Sequence, residues 1–481
     1  MNQGKGKGLR GVILVLTMCC AFVAHGESLE KWLELEQRVA REKLLNNISP
    51  SDGLAGSVIA SPSKTKPNYF FHWVRDAALV MDVVVSLYQS AHDLDKRKYS
   101  QMIFDYIRFS RLNQLTQNKS GGLGEPKFHV DGTAFNGDWG RPQNDGPALR
   151  AMTLIRFAKE LLKKGEEKIV RELLYDSSLP ATTVIKADLE FVSHHWMEAS
   201  FDLWEEVLGD HFYTRIVQRR ALLDGAELAQ SLGDVGAAEW YAQQAAKIEE
   251  TILQHWDESR KIFIVTKNQT GGLQGKNSGL DVAVVLAILH GSRQDGFLSS
   301  IHDKVLATVH AIESAFKTLF PINENLEMGV AIGRYPEDKY DGYTTSSAGN
   351  PWFLATAAFA EFYYKLHEDF KKQGLIKITT YNAEFFQQLT RGNSLSRLIN
   401  VGKFYSQDSA EFSGMLELLK NEADSYLKRV QYHAAPDGSL SEQMNRYVGF
   451  MQGAENLTWS YASLLTAIFA RDQAARHSSL D

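Results

Sequence analysis

The chain has 481 residues, 44% of them hydrophobic and 23% charged, which is the make-up of a globular protein with enough material for a large core. It carries 52 Lys and Arg against 58 Asp and Glu, for a net charge of −6, and no run of basic residues beyond the extreme N-terminus, which argues against a nucleic-acid partner.

The first 26 residues read as a signal peptide. Lys5, Lys7 and Arg10 form a positive start, Val12 to Ala24 an apolar stretch, and Ala24-His25-Gly26 puts small residues where a signal peptidase reads. The expected location is therefore outside the cytoplasm, secreted or periplasmic. No second apolar stretch of membrane-spanning length follows, so no membrane contact is expected after cleavage. The leader also contains Cys19 and Cys20, the only cysteines. A mature chain from residue 27 onward has no thiol, which excludes disulfides, Cys-based zinc sites and Cys nucleophiles.

Helical spacing then dominates. Trp73, Ala77, Val80, Val84 and Leu87 recur at helical intervals, as do Ala151, Leu154, Ile155, Ala158, Leu161 and Leu162. Further helices are predicted over 219–231, 236–256, 280–290, 301–317, 352–368, 409–428 and 457–472. Some are amphipathic, while Leu280 to Leu289 is apolar nearly all round, the pattern of a helix covered on both sides. Inner buried and outer amphipathic helices together point to a two-layer helical barrel in one domain spanning residues 27–481. Gly121 to Gly146 interrupts the pattern with many glycines, Pro126 and Pro142; a loop of that length in a compact domain is usually functional. Asn47, Asn118, Asn268 and Asn456 begin N-x-Ser/Thr sequons.

Four clusters set Trp or Tyr beside charged groups: Tyr69 to Asp76, the loop around Trp139, Phe201 to Val207 with Trp204, Glu205 and Glu206, and Gly329 to Asp338 followed by Asn350-Pro351-Trp352. Each alone suits a capped helix start with a buried Trp. Together they suit a sugar, which offers apolar C–H faces to aromatic rings and hydroxyls to Arg, Asp and Glu. Glu442, in Asp437 to Gln443, supplies a distant second carboxylate to pair with one of the adjacent Glu205 and Glu206. Glycosidic hydrolysis needs such a pair, one acid to protonate the leaving oxygen and one carboxylate on the opposite face of the sugar. No HExxH, no His/Asp cluster at ligand spacing, no strand–turn–helix around Gly122-Leu123-Gly124 and no G-x-S-x-G occurs, so neither a metal nor any other cofactor is expected.

At these residues the chain resembles the glucoamylases of glycoside hydrolase family 15, in particular the fungal and other eukaryotic-type members. The matching segments follow the same order over most of the mature chain: Tyr69 to Asp76, Leu123 to Phe128, Trp139 to Arg150, Asp202 to Val207, Gly329 to Asp338, Asn350 to Leu354, Asp437 to Gln443 and Leu457 to Ala462. The resemblance implies an all-α (α/α)6 barrel of six inner and six outer helices, with the active site in a funnel at one end. It implies removal of glucose from the non-reducing ends of α-1,4-glucans such as starch, glycogen and maltooligosaccharides, more slowly at α-1,6 branches, with inversion. Glu205 aligns with the general acid and Glu442 with the base that activates water. Tyr69 matches the tyrosine beside that water, and Arg75 and Asp76 the pair that grips the terminal glucose. Trp139 matches the loop tryptophan near the acid. Asp202 and Glu206 match the acidic flank of the acid, with Glu206 a binder of the next sugar. Trp73, Leu203, Trp204, Arg334 and Trp352 match further substrate-binding positions. A monomer is expected.

The chain departs from the family pattern in three places. It lacks the disulfides of fungal relatives, His72 and Ala77 stand where small hydroxyl residues are usual, and no starch-binding module or Ser/Thr-rich linker is expected after the Glu442 motif. A related α-glucosidase acting on trehalose or dextran, or a non-catalytic glucan-binding protein on the same barrel, are the alternatives. Retention of both Glu205 and Glu442 weighs against the second.

Overall fold

The computed structural model describes residues 28–324 and 327–478, so the signal peptide expected over residues 1–26 lies outside the described residues. Twelve helices account for the architecture. In chain order they are α1 (Leu29–Asn46), α2 (Val74–Ser90), α3 (Asp93–Leu115), α4 (Asp145–Lys163), α5 (Val184–His195), α6 (Phe212–Ser231), α7 (Val235–Leu253), α8 (Ala283–Gly291), α9 (Asp303–Leu319), α10 (Phe353–Gln373), α11 (Ala410–His433) and α12 (Thr458–Ser478).

The even-numbered helices form a closed ring. Each packs on the next, α2 on α4, α4 on α6, α6 on α8, α8 on α10 and α10 on α12, and α12 returns to α2. Each odd-numbered helix covers the ring from outside: α3 on α2, α5 on α4, α7 on α6, α9 on α8, α11 on α10 and α1 on α12. This is the (α/α)6 barrel, and the sequence pattern explains it. In α8 the run Ala283 to Ile288 is buried throughout, and in α10 so is Phe353 to Ala360, because inner helices are covered on both faces. The outer helix α7 buries Ala238, Tyr241, Ala245, Ile248 and Ile252, one stripe at intervals of three and four residues, and leaves its other face to solvent. Among the described residues no helix is long and apolar enough to cross a membrane.

The strongly periodic segments predicted from sequence are helices, several of them longer than expected; α6 begins at Phe212 and α11 runs on to His433. Three outer helices, α1, α3 and α5, escape the periodicity reading. Much of α3 is polar and exposed, so its apolar stripe is thin.

Because in-going and out-going helices alternate, all six inner helices start at the same end of the barrel, and their positive dipole ends face that end. The connections that lead into them (residues 47–73, 116–144, 196–211, 254–282, 320–352 and 434–457) gather there. Every site residue expected from the sequence lies on one of these connections or in the first turn of α2. Two sequon asparagines are structural in this region: Asn47 Nδ2 donates to the Asn456 carbonyl at 3.1 Å and to Thr458 Oγ1 at 2.8 Å, and Asn456 Oδ1 accepts from Tyr461 at 2.5 Å.

Candidate active site

Glu205 sits on a turn that the local sequence holds under strain. Strands β1 (Ser200–Phe201) and β2 (Val207–His211) pair antiparallel, and β3 (Thr266–Gly272) extends the sheet. Between β1 and β2 the chain reverses through Asp202 to Glu206, and Glu205 adopts φ +69°, a left-handed conformation that non-glycine residues rarely take and that clusters at functional sites. Asp202 holds this turn: its Oδ1 accepts the N–H groups of Glu206 (2.7 Å) and Val207 (3.0 Å), and its Oδ2 accepts from Lys276 at 3.0 Å. Burial opposes ionisation of Asp202, but Lys276, His211 and the two backbone donors outweigh it and hold its pKa at about 2. Gly140 lies against the turn so closely that a Cβ there would stand 2.4 Å from the Glu205 carbonyl oxygen.

The Glu205 carboxylate faces cations and donors. Arg75 Nη2 is 3.2 Å from Oε1, and the Trp139 indole N–H donates to Oε2. Arg75, in the first turn of α2, also donates to Gln143 at 2.8 Å and pairs with Asp145 at 3.3 Å and Asp76 at 3.4 Å. Burial pushes the Glu205 pKa above its ordinary value and Asp76 adds to the rise, while Arg75 and Lys127 pull it down.

Glu442 approaches from another connection. It lies on β4 (Ser441–Met444), which pairs with β5 strand residues Met451–Glu455 in a hairpin. Tyr69 donates to Oε1 at 3.0 Å, Tyr340 to Oε2 at 3.3 Å, and the two phenols are 2.8 Å apart. Gly453, at φ +77°, faces this carboxylate, and a Cβ there would stand 2.3 Å from Oε2. Burial drives the Glu442 pKa up to about 8, against the Tyr69 and Tyr340 hydroxyls and the Arg334 guanidinium, which favour the ionised form.

Both carboxylates open into one cavity of about 300 Å³ at the loop end of the barrel. Of the residues expected from sequence, Tyr69, Trp73, Arg75, Asp76, Trp139, Leu203, Trp204, Glu205, Glu206, Arg334, Trp352 and Glu442 line it. Asp202 does not; its carboxylate is spent on the turn and on Lys276. Trp73 Nε1 and Trp352 Nε1 are buried without a hydrogen-bond partner, so two indole donors remain for a ligand. Glu206 is held by Arg334 at 2.8 Å and Tyr335 at 2.7 Å, and Arg334 grips Asp338 through two 2.7 Å bonds.

Several groups were not expected as site residues. Tyr340 and Trp459 line the cavity, the latter 6.3 Å from the Trp204 ring. Asp281 anchors the Trp204 indole at 2.9 Å, and Lys276 ties Asp281 to Asp202. Tyr335, Asp338 and Trp459 fall within runs noted in the sequence, but nothing local in them assigns a role. Lys276 and Asp281 carry no local signal at all.

The Glycosyl hydrolases family 15 model matches residues 38–469. The chain belongs to this family. It is thus a glycoside hydrolase, and the family 15 assignment agrees with the barrel. Among its relatives are a glucoamylase of Blastobotrys adeninivorans, 40% identical over 460 residues covering 93% of this chain and 73% of that protein, and glucoamylase 1 of Rhizopus oryzae, 38% identical and covering 94% and 72%. Similar solved structures include the family 15 glucoamylase of Hypocrea jecorina (TM-score 0.84, 33% identity, covering 93% of this chain and 73% of that one). The glucoamylase of Saccharomycopsis fibuligera also matches, with TM-score 0.84 and 35% identity over 93% of this chain and 96% of that one.

Proposed function

We propose that this family 15 hydrolase is a secreted or periplasmic, monomeric glucoamylase that releases β-D-glucose from the non-reducing ends of α-1,4-glucans. Starch, glycogen and maltooligosaccharides are its substrates, and α-1,6 branches are cut more slowly. The observation that carries this reading is the pair of buried glutamates, Glu205 and Glu442, delivered to one aromatic-lined cavity by different connections, each with its own donors. The glucoamylase relatives supply the substrate class.

In this reading Glu205 is the acid. Burial favours its protonated form, which donates to the glycosidic oxygen as the bond to the leaving sugar breaks. Glu442 is the base. With one phenol on each oxygen it is oriented to accept a proton from water, which attacks the anomeric carbon from the opposite face and inverts its configuration. Arg75 and Asp76 hold the hydroxyls of the terminal glucose by charge-assisted hydrogen bonds. The rings of Trp73, Trp139 and Trp352 cover its apolar faces, and Glu206 and Arg334 meet the next unit. Asp202 acts one step back, by fixing the turn that carries the acid. Residues from five of the six connections line the cavity, which suits a chain end better than the middle of a chain. The leader read in residues 1–26 supports export, and residues 27–481 form the catalytic domain.

The test is substitution of each carboxylate. Glu205→Gln and Glu442→Gln each lower kcat for glucose release by at least about a thousandfold with the fold intact, since general acid–base roles carry roughly 10²–10⁴ in rate. Near-parent activity in either purified variant removes that residue from the mechanism.

A further inference from the structure

Lys127 has no assigned role in the reaction, yet it is buried in a setting unusual for lysine. It lies opposite Trp73 in a two-residue antiparallel pairing, and its backbone carbonyl accepts from Phe135 at 3.3 Å, so the chain is fixed on both sides of it. Its ammonium stands 4.2 Å from the ring centroid of Phe71, 4.4 Å from Trp73, 4.1 Å from Phe135 and 3.6 Å from Trp139. These four rings also touch one another in a closed circuit, Phe71 to Trp73 at 6.0 Å, Trp73 to Trp139 at 6.0 Å, Trp139 to Phe135 at 5.8 Å and Phe135 to Phe71 at 5.4 Å. The arrangement is an aromatic cage closed around a cation of the protein itself. One wall of the cage, Trp139, donates its indole N–H to Glu205.

We propose that Lys127 is a positioning residue for the acid: its caged ammonium fixes the Trp139 indole against Glu205 and holds a positive charge beside that carboxyl. The inference rests on Glu205 being the acid. The charged groups around the pair are Arg75 and Asp76 from α2, Arg141 from the Trp139 loop, and Glu125, which is bound to Arg141 at 3.1 Å. Burial lowers the Lys127 pKa, Glu205 raises it and Arg141 lowers it, while Lys127 in turn favours ionised Glu205. The sign follows. A neighbouring cation stabilises the carboxylate, so Lys127 sets how early the acid loses its proton as pH rises.

The test compares Lys127→Met, which keeps length and ring contact but removes charge, with Lys127→Arg, which keeps charge. Glu205→Gln is measured first. If that variant retains activity, the reading of Glu205 fails and the Lys127 inference with it. If it is inactive, the pH profile of kcat/KM on maltose decides. In Lys127→Met the Glu205 pKa rises by about half a unit, so that the alkaline limb, compared with the acid limb of the same variant, stands about threefold above the parent, while Lys127→Arg keeps the parent limb. Lys127→Gln carries the same expectation if the Met variant does not fold. An unmoved limb in the neutral variants, or an equal shift in Lys127→Arg, overturns the proposal and leaves the lysine as packing.

Discussion

Replacing Tyr69 by Phe removes one oxygen from the wall behind Glu442. The ring remains against Trp73, at a centroid distance of 5.6 Å, so the cavity keeps its shape. Glu442 Oε1 loses a 3.0 Å hydrogen bond from the phenol, and Tyr340 loses a 2.8 Å partner while keeping its own contact with Oε2. A hydrogen bond to a charged group contributes about 1.5–3 kcal/mol, and the lower end applies because the Tyr340 hydroxyl is freed to serve the carboxylate. At about 1.4 kcal/mol per pKa unit, the Glu442 pKa rises by roughly one unit. A base works in its ionised form, so on the acid side of the kcat profile, below both carboxyl pKa values, the rate falls about tenfold. On the alkaline side, above both values, Glu442 is ionised in parent and variant alike and protonation of Glu205 sets the rate, which is unchanged. Initial rates of glucose release from maltose across the acid and neutral range measure both limbs. An unchanged rate on the acid side, or a loss confined to the alkaline side, refutes the assignment of Glu442 as the base held by Tyr69.

Gly453→Ala forces a Cβ to within 2.3 Å of Glu442 Oε2 at a φ of +77°, so the carboxylate must shift; we expect kcat to fall about a hundredfold and KM much less, and parent-like kinetics would mean that the hairpin absorbs the methyl group elsewhere. Glu36 on α1 tests the energetics away from the cavity. Burial, against Lys43 and helped by Asp437, drives its pKa from 4.5 up to about 8. A raised folded-state value means that its stabilising contribution is complete below pH 4.5 and is lost as pH rises through 8. Glu36→Gln stays neutral throughout, so its Tm gains on the parent by at least about 2 °C between acid and alkaline pH in thermal melts; a pH-independent difference contradicts this.

The barrel was largely legible in the sequence because most of its helices carry apolar residues at helical spacing and α8 is apolar on every side, and both patterns are local. The outer helices α1, α3 and α5 were not: α1 and α3 bury only a thin face, and α5 is short and buries Lys186, Asp188 and Ser193 along with its apolar residues. At the site, Glu205 and Glu442 stood out through the motifs around them, and Tyr69, Arg75 and Trp139 through theirs. Asp202 stands three residues from Glu205, and its type and spacing fit a sugar ligand as well as a turn holder; only the Glu206 and Val207 N–H bonds distinguish the two. Tyr340 meets Glu442 across 102 residues, and Lys276 meets Asp202 across 74, so neither contact leaves a trace in sequence spacing. Lys127 was inside a recognised motif, but its cage is assembled from Phe71, Trp73, Phe135 and Trp139, which only the folded loops bring together.

The central claim is that Glu205 and Glu442 act as acid and base on opposite faces of the terminal glucose, with water as the attacking group. Proton NMR of maltoheptaose hydrolysis, read before mutarotation scrambles the product, tests it most directly. The account predicts that the first glucose to accumulate is the β-anomer. Early accumulation of α-glucose would contradict it, because retention requires one carboxylate to attack the sugar itself.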